Sequence, residues 1–166
     1  MFPPERSFER ISEDDLQRLG ELARRDREDF FQRHPQYKLL ADRVLAVALC
    51  QGAALHFVDS KNGVKDFDVW TFYAEHPDVT YPPRRYTFMD FGDAKFGTSP
   101  DRPEFVGRRV DLLGRSLNVA PGTEPVEALR RFLGERKSAS ATKLAEKAVV
   151  LIEPIHLLGT IVWKPG

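Results

Sequence analysis

The chain opens with apolar residues at helical spacing and changes to strand-like patterning near its middle. Leu16, Leu19, Leu22, Ala23, Phe30 and Phe31 recur among charged residues at the three-to-four interval of an amphipathic helix. Ser12, followed by Glu13, Asp14 and Asp15, supplies a cap and a first-turn acidic cluster that suits the positive end of the helix dipole. Pro35 disfavours helix at His34, so the spacing predicts a helix from Ser12 to about Arg33, preceded by a polar, proline-bearing lead-in over residues 1–11. A short helix is predicted over Gln36 to Asp42. The run Arg43 to Cys50, apolar from Val44 onward, then reads as a buried strand.

Gln51-Gly52-Ala53-Ala54 ends that strand, Leu55 to Asp59 fits one or two helical turns, and Ser60 to Gly63 is a turn. Lys65 to Tyr73 follows as a strand of aromatic and β-branched residues. Glu75 to Pro83 is a proline-bearing loop, Arg84 to Phe91 a third strand, Gly92 to Pro103 a loop, and Phe105 to Leu113 a fourth strand. Val126, Leu129, Phe132 and Leu133 form one helical stripe after Pro121-Gly122-Thr123. Ser138 or Ser140 caps a further helix carrying Leu144, Ala148, Val149 and Ile152, stopped by Glu153-Pro154. Leu157 to Trp163 reads as an edge strand. Helix, then strands, then helices predicts an α+β fold with a single mixed sheet, the helices packing on it.

Length and composition are those of one globular domain over residues 1–166, with 42% apolar and 30% charged residues, enough for a core and too apolar for a disordered chain. The formal net charge is zero, from 25 basic and 25 acidic residues, so bulk charge makes no case for long nucleic acid or a membrane surface. Cys50 is the only cysteine, which excludes an internal disulfide. No apolar run reaches transmembrane length, and Met1 to Arg6 lacks the layout of a signal peptide. Together these predict a cytoplasmic protein without a membrane partner.

Candidate chemistry centres on three acids. Asp66 and Asp68 are two residues apart at the start of a predicted strand, so both point to one face of the sheet. Asp111 lies between Val110 and Leu112 in another strand, where an acid is costly to bury without a partner. A shared cation offsets the repulsion of the pair and the isolation of the third at once, and three carboxylates are hard ligands suited to Mg²⁺ or Mn²⁺. The alternative is a solvated turn around Asp66 and an ion pair of Asp111 with Arg108 or Arg109. Arg109, on the predicted face of Asp111, is the one arginine placed to meet a phosphate. Arg84, Arg85, Lys95, Arg108 and Arg115 are better read as makers of surface ion pairs. Asp90-Phe91-Gly92 looks like the metal-binding tripeptide of protein kinases, but the other kinase signatures are missing from the chain. The four histidines have no metal-ligand spacing, and Cys50 reads as a core residue.

Gly52-Ala53 after a strand, Asp66-Phe-Asp68-Val after a gap, and Asp111 between hydrophobics form an arrangement that resembles the nucleotidyltransferase superfamily related to DNA polymerase beta. The resemblance spans about residues 43–113, with a helical C-terminal part over about 123–153. It implies a metal-dependent enzyme that moves an NMP group from a nucleoside triphosphate to an acceptor. It also implies that Gly52 and Ala53 hold phosphate at a helix start and that Asp66, Asp68 and Asp111 are the catalytic metal ligands; Arg109, from its strand face beside Asp111, is then expected to assist nucleotide binding. The family usually has Gly-Ser or Gly-Gly where this chain has Gly52-Ala53, which keeps the backbone donors but removes a hydroxyl worth about 0.5–1.5 kcal/mol. The acceptor is open: small molecule, protein or short RNA. Two further readings also stay open, an inactive binding or regulatory module with this fold and a metal-dependent phosphodiesterase.

Overall fold

A computed structural model describes residues 4–166; the first three residues of the predicted lead-in lie outside the described residues. Helix α1 runs Glu13–Arg33 and begins with a reciprocal capping box: the Ser12 hydroxyl accepts from the Asp15 amide, and the Asp15 carboxylate accepts from the Ser12 amide. A 3₁₀ helix over Pro35–Leu40 replaces the predicted Gln36–Asp42 helix. Strand β1 is Val44–Cys50 and helix α2 is Gln51–Asp59, so the helix starts four residues before the predicted Leu55. Strand β2 is Phe67–Tyr73, β3 is Thr87–Asp90 and β4 is Arg109–Ser116. Helix α3 is Pro125–Glu135, α4 is Ala139–Ala145, β5 is Ala148–Glu153 and β6 is Ile161–Trp163.

The sequence expectation fails in its C-terminal part. Ala148, Val149 and Ile152 do not continue a helix; they belong to β5, and the predicted helical region over 123–153 ends at Ala145. Ala148 to Ile152 is buried throughout because β5 lies inside the sheet. A strand covered on both faces loses the polar–apolar alternation that would distinguish it from a buried helix. The fourth strand is also displaced from Phe105–Leu113 to Arg109–Ser116. The Asp90 carboxylate accepts the Val106 and Gly107 amides, which withdraws that segment from the ladder. Downstream, Gly114 keeps the strand going where a Cβ would meet the Tyr81 ring at 2.7 Å. The third strand is correspondingly shorter than Arg84–Phe91.

The six strands form one mixed sheet in the order β3-β4-β2-β1-β5-β6, with β2 and β4 parallel and the other neighbours antiparallel. This is the predicted α+β class, with helices from both ends of the chain on the sheet. On one face Leu16, Leu19 and Leu22 of α1 and Ala53 and Ala54 of α2 pack against Val47, Val69, Leu112 and Val150. On the other, Leu129, Leu133 and Leu144 of α3 and α4 cover Ala48, Phe72 and Leu151. Trp70 and Phe72 stack 6.0 Å apart in this second cluster, beneath the C-terminal helices.

The loop between β3 and β4 is tied down by a buried cation. Arg108, 1% exposed, donates to the carbonyls of Phe96 (2.8 Å), Glu5 (2.7 Å), Pro4 (3.2 Å) and Lys65 (3.3 Å). It thereby joins the N-terminal segment, the long loop and the residue before Asp66. Removing the guanidinium leaves these carbonyls short of a donor inside the protein, and hydrogen bonds to a charged group contribute about 1.5–3 kcal/mol each. Arg108→Leu is therefore expected to lower unfolding stability by about 3 kcal/mol or more. Urea denaturation checks this; a loss under about 1 kcal/mol would show that the four contacts do not hold the segment.

Candidate metal centre

The sheet topology brings the three predicted acids together. Because β2 and β4 are parallel neighbours, their N-terminal ends lie side by side at the same end of the sheet, and the register sets Asp68 level with Asp111. Asp66 stands one residue before β2, on the same side as Asp68. Each of the three offers a carboxylate oxygen, and these oxygens lie within 4.8 Å of one another. Two oxygens on one Mg²⁺ at about 2.1 Å are at most about 4.2 Å apart, whereas Ca²⁺ at about 2.3–2.6 Å accepts the wider span. A small side-chain adjustment suffices for the smaller ion. The cluster is thus able to hold a divalent cation, with ligands that are all hard oxygens.

β1 is antiparallel to β2 and places Cys50 beside Asp68, so the chain leaves β1 directly next to the acids. Gln51 makes the turn with φ of +62°, a left-handed conformation uncommon for a side chain of its size. α2 then starts with no side-chain cap on its first turn. Gly52 sits where a Cβ would come within 3.1 Å of Asn62 Nδ2, which instead donates to the Gly52 carbonyl at 2.9 Å. That contact holds the turn before β2 against the start of α2. A cavity of about 230 Å³ is lined by Gln51, Gly52, Ala53, Asp66 and Asp68, and by the cations Arg6, Lys65, Lys143 and Lys147.

Arg109 does not face a free phosphate position. Its Nη2 donates to Asp66 Oδ2 at 2.7 Å, its Nη1 donates to Asp101 Oδ2 at 3.1 Å, and its Nε lies 3.1 Å from Asp111 Oδ1. The Nε is buried and not aligned for a hydrogen bond with that oxygen, so the last contact is one of charge. Part of the ion-pair alternative is therefore real: Arg109, and not Arg108, is the counter-charge of Asp111. Asp111, 6% exposed, also accepts from the Tyr86 hydroxyl at 2.6 Å.

The single charge of Arg109, shared also with Asp101, does not offset three acids. Burial, then the charges of Asp66 and Asp111, push the Asp68 carboxyl up to about 7, against the pull of Lys143 and Arg109. Burial also raises Asp111, although Tyr86 and Arg109 act in the opposite direction. Tyr86 is pushed up to about 12, by burial and then by its bond to Asp111.

The other candidates have structural roles. Asp90 accepts from the amides of Gly92, Val106 and Gly107, so the kinase-like tripeptide is a loop anchor. Arg85 makes a two-pronged pair with Asp26 at 2.8 and 3.0 Å and lies over the Phe30 ring. Lys95 pairs with Asp15 and Arg115 lies over Phe132. His56 is buried, with one ring nitrogen facing the Glu9 carbonyl and the other accepting from the Gly63 amide. Cys50 is fully buried, which drives its thiol far upward. Sequence patterning missed Tyr86, Lys143 and Lys147. The two lysines are four apart, but α4 ends between them and nothing local points them at β2.

Comparison with protein-family models, with curated proteins and with solved structures finds no match. Among the described residues no helix is long and apolar enough to cross a membrane.

The raised Asp68 carboxyl has a definite sign. It takes up a proton on folding, because its folded value is about 7 against about 3.9 in the unfolded chain. Its contribution to stability is fully present below the unfolded value and is lost as pH rises through 7. Asp68→Asn is accordingly expected to raise Tm of the metal-free protein at pH 8 and to change it little at pH 4. Equal shifts at the two pH values would show that Asp68 does not carry the strain.

Proposed function

We propose that the protein is a metal-dependent nucleotidyltransferase-like enzyme that transfers an NMP group from a nucleoside triphosphate to an acceptor hydroxyl. One observation carries the reading: three carboxylates converge beside an uncapped helix start and a cation-lined cavity. Acids alone would suit many cation sites, and a basic cavity alone would suit many anions. Their adjacency suits a ligand that brings both, a polyphosphate with its Mg²⁺ or Mn²⁺.

In this reading Asp66, Asp68 and Asp111 hold the metal, which supplies charge neutralisation on the phosphates and alignment for in-line displacement. The backbone amides of Gly52 and Ala53 at the start of α2 donate to phosphate oxygens, where alanine serves as well as serine except for the missing hydroxyl. Lys143, Lys147, Lys65 and Arg6 add positive charge around the β- and γ-phosphates. Asp111 accepts the proton of the attacking hydroxyl. Arg109 has a second duty: it bridges Asp66 and Asp111 in the metal-free state and is freed to meet phosphate when a divalent cation takes over these acids.

Titration of MgCl₂ or MnCl₂ with each of the four NTPs, followed by thermal unfolding, is expected to raise Tm at millimolar nucleotide. Asp66→Asn and Asp111→Asn should each abolish the metal-dependent part of that rise. A Tm unmoved by every NTP, or unchanged behaviour in both variants, sinks the proposal. A nucleotide-dependent rise without turnover on any acceptor would favour the inactive binding module instead.

A further inference from the structure

We infer that Tyr86 is itself an acceptor and that the protein nucleotidylates its own Tyr86 hydroxyl, an inference that rests on the nucleotidyltransferase reading. The cavity with its cations lies on the Asp66 and Asp68 side of the acid cluster, and Asp111 is not among the residues that line it. The phosphates are thus assigned to one side and the attacking hydroxyl to the other, where Asp111 stands as proton acceptor. A hydroxyl already stands there: Tyr86 Oη donates to Asp111 Oδ1 at 2.6 Å. Among the described residues, no other side-chain hydroxyl donates to any of the three acids. Tyr86 precedes β3 at the sheet edge, with its ring 6.0 Å from that of Phe88. Of the four tyrosines, Tyr73 and Tyr81 are buried at 1% and 3% and Tyr37 is partly buried, whereas Tyr86 is 49% exposed. Its position accommodates a bulky adduct that would not fit in the core.

The step balances without any further reactant. The Tyr86 oxygen attacks the α-phosphorus of the NTP, an oxygen–phosphorus bond forms, and the bond from the α-phosphorus to the bridging oxygen breaks. Pyrophosphate leaves, and the phenolic proton passes to Asp111. The product is a tyrosyl–NMP phosphodiester, which caps the residue that otherwise occupies the acceptor position.

The test is intact-mass and tandem mass spectrometry of the full chain after incubation with MnCl₂ or MgCl₂ and each of ATP, CTP, GTP and UTP. One NMP is expected on Tyr86 with at least one nucleotide, and none on Tyr86→Phe, whose fold is checked by its Tm. An adduct confined to other residues overturns the inference. No adduct in a sample whose Tm rises with metal and nucleotide overturns it while leaving the nucleotidyltransferase reading in place. No adduct and no Tm shift removes both.

Discussion

Asp68 and Asp111 face each other across a parallel ladder, two like charges directly opposite on adjacent strands. Such a pair is destabilising wherever it occurs, and here Asp111 is buried, Asp68 is partly buried and a third acid stands beside them. The local structure can be understood as an incomplete answer to that repulsion. Arg109 bridges Asp66 and Asp111, Tyr86 donates to Asp111, and Lys143 lines the same cavity as Asp68. Even so, burial and the neighbouring acids push the Asp68 carboxyl up to about 7. A divalent cation supplies the missing charge more compactly than an arginine, whose fork meets only two of the acids at a time.

The fold keeps this costly arrangement in place by anchoring it from several directions. β2 lies in the middle of the sheet and is buried beneath helices on both faces, so its register cannot slip without exposing Phe67, Val69 and Phe72. Arg108, adjacent to Arg109, binds the N-terminal segment and the Lys65 carbonyl, which fixes the entry to Asp66. Asn62 does the same between the Gly52 turn and the approach to β2. The stability of the interior thus maintains a site that is itself unfavourable, the expected sign of a functional constellation.

Much of the architecture was legible in local pattern. The α1 boundaries follow from the Ser12 capping box and His34-Pro35, and the amphipathic stripe from Leu16 to Phe31 identifies the buried face. β1 and the aromatic end of β2 are equally plain. Patterning failed where burial is two-sided or where a distant group takes the backbone bonds. Ala148 to Ile152 is apolar throughout and its pattern reads as helix; its place between β1 and β6 makes it a strand. Residues 105–108 have strand-like composition, yet Asp90 captures two of their amides.

For the site, the local sequence paired Asp66 with Asp68 by their two-residue spacing, whereas the face they share is set by the fold, because Asp66 lies one residue outside β2. The sequence by itself determined that Asp111 needs a partner, because an acid between Val110 and Leu112 cannot remain isolated in a buried strand. The tertiary structure decided which partner and which neighbours. Parallel pairing of β2 with β4 brings Asp111 level with Asp68, and the same ladder swings Arg109 onto Asp66. The return of the chain through α4 and β5 carries Lys143 and Lys147 to the cavity, and the edge strand brings Tyr86 to Asp111. Those contacts depend on ladder register between segments far apart in the chain. Within a strand, local spacing fixes the face on which a side chain stands, but only the paired strand fixes what stands opposite.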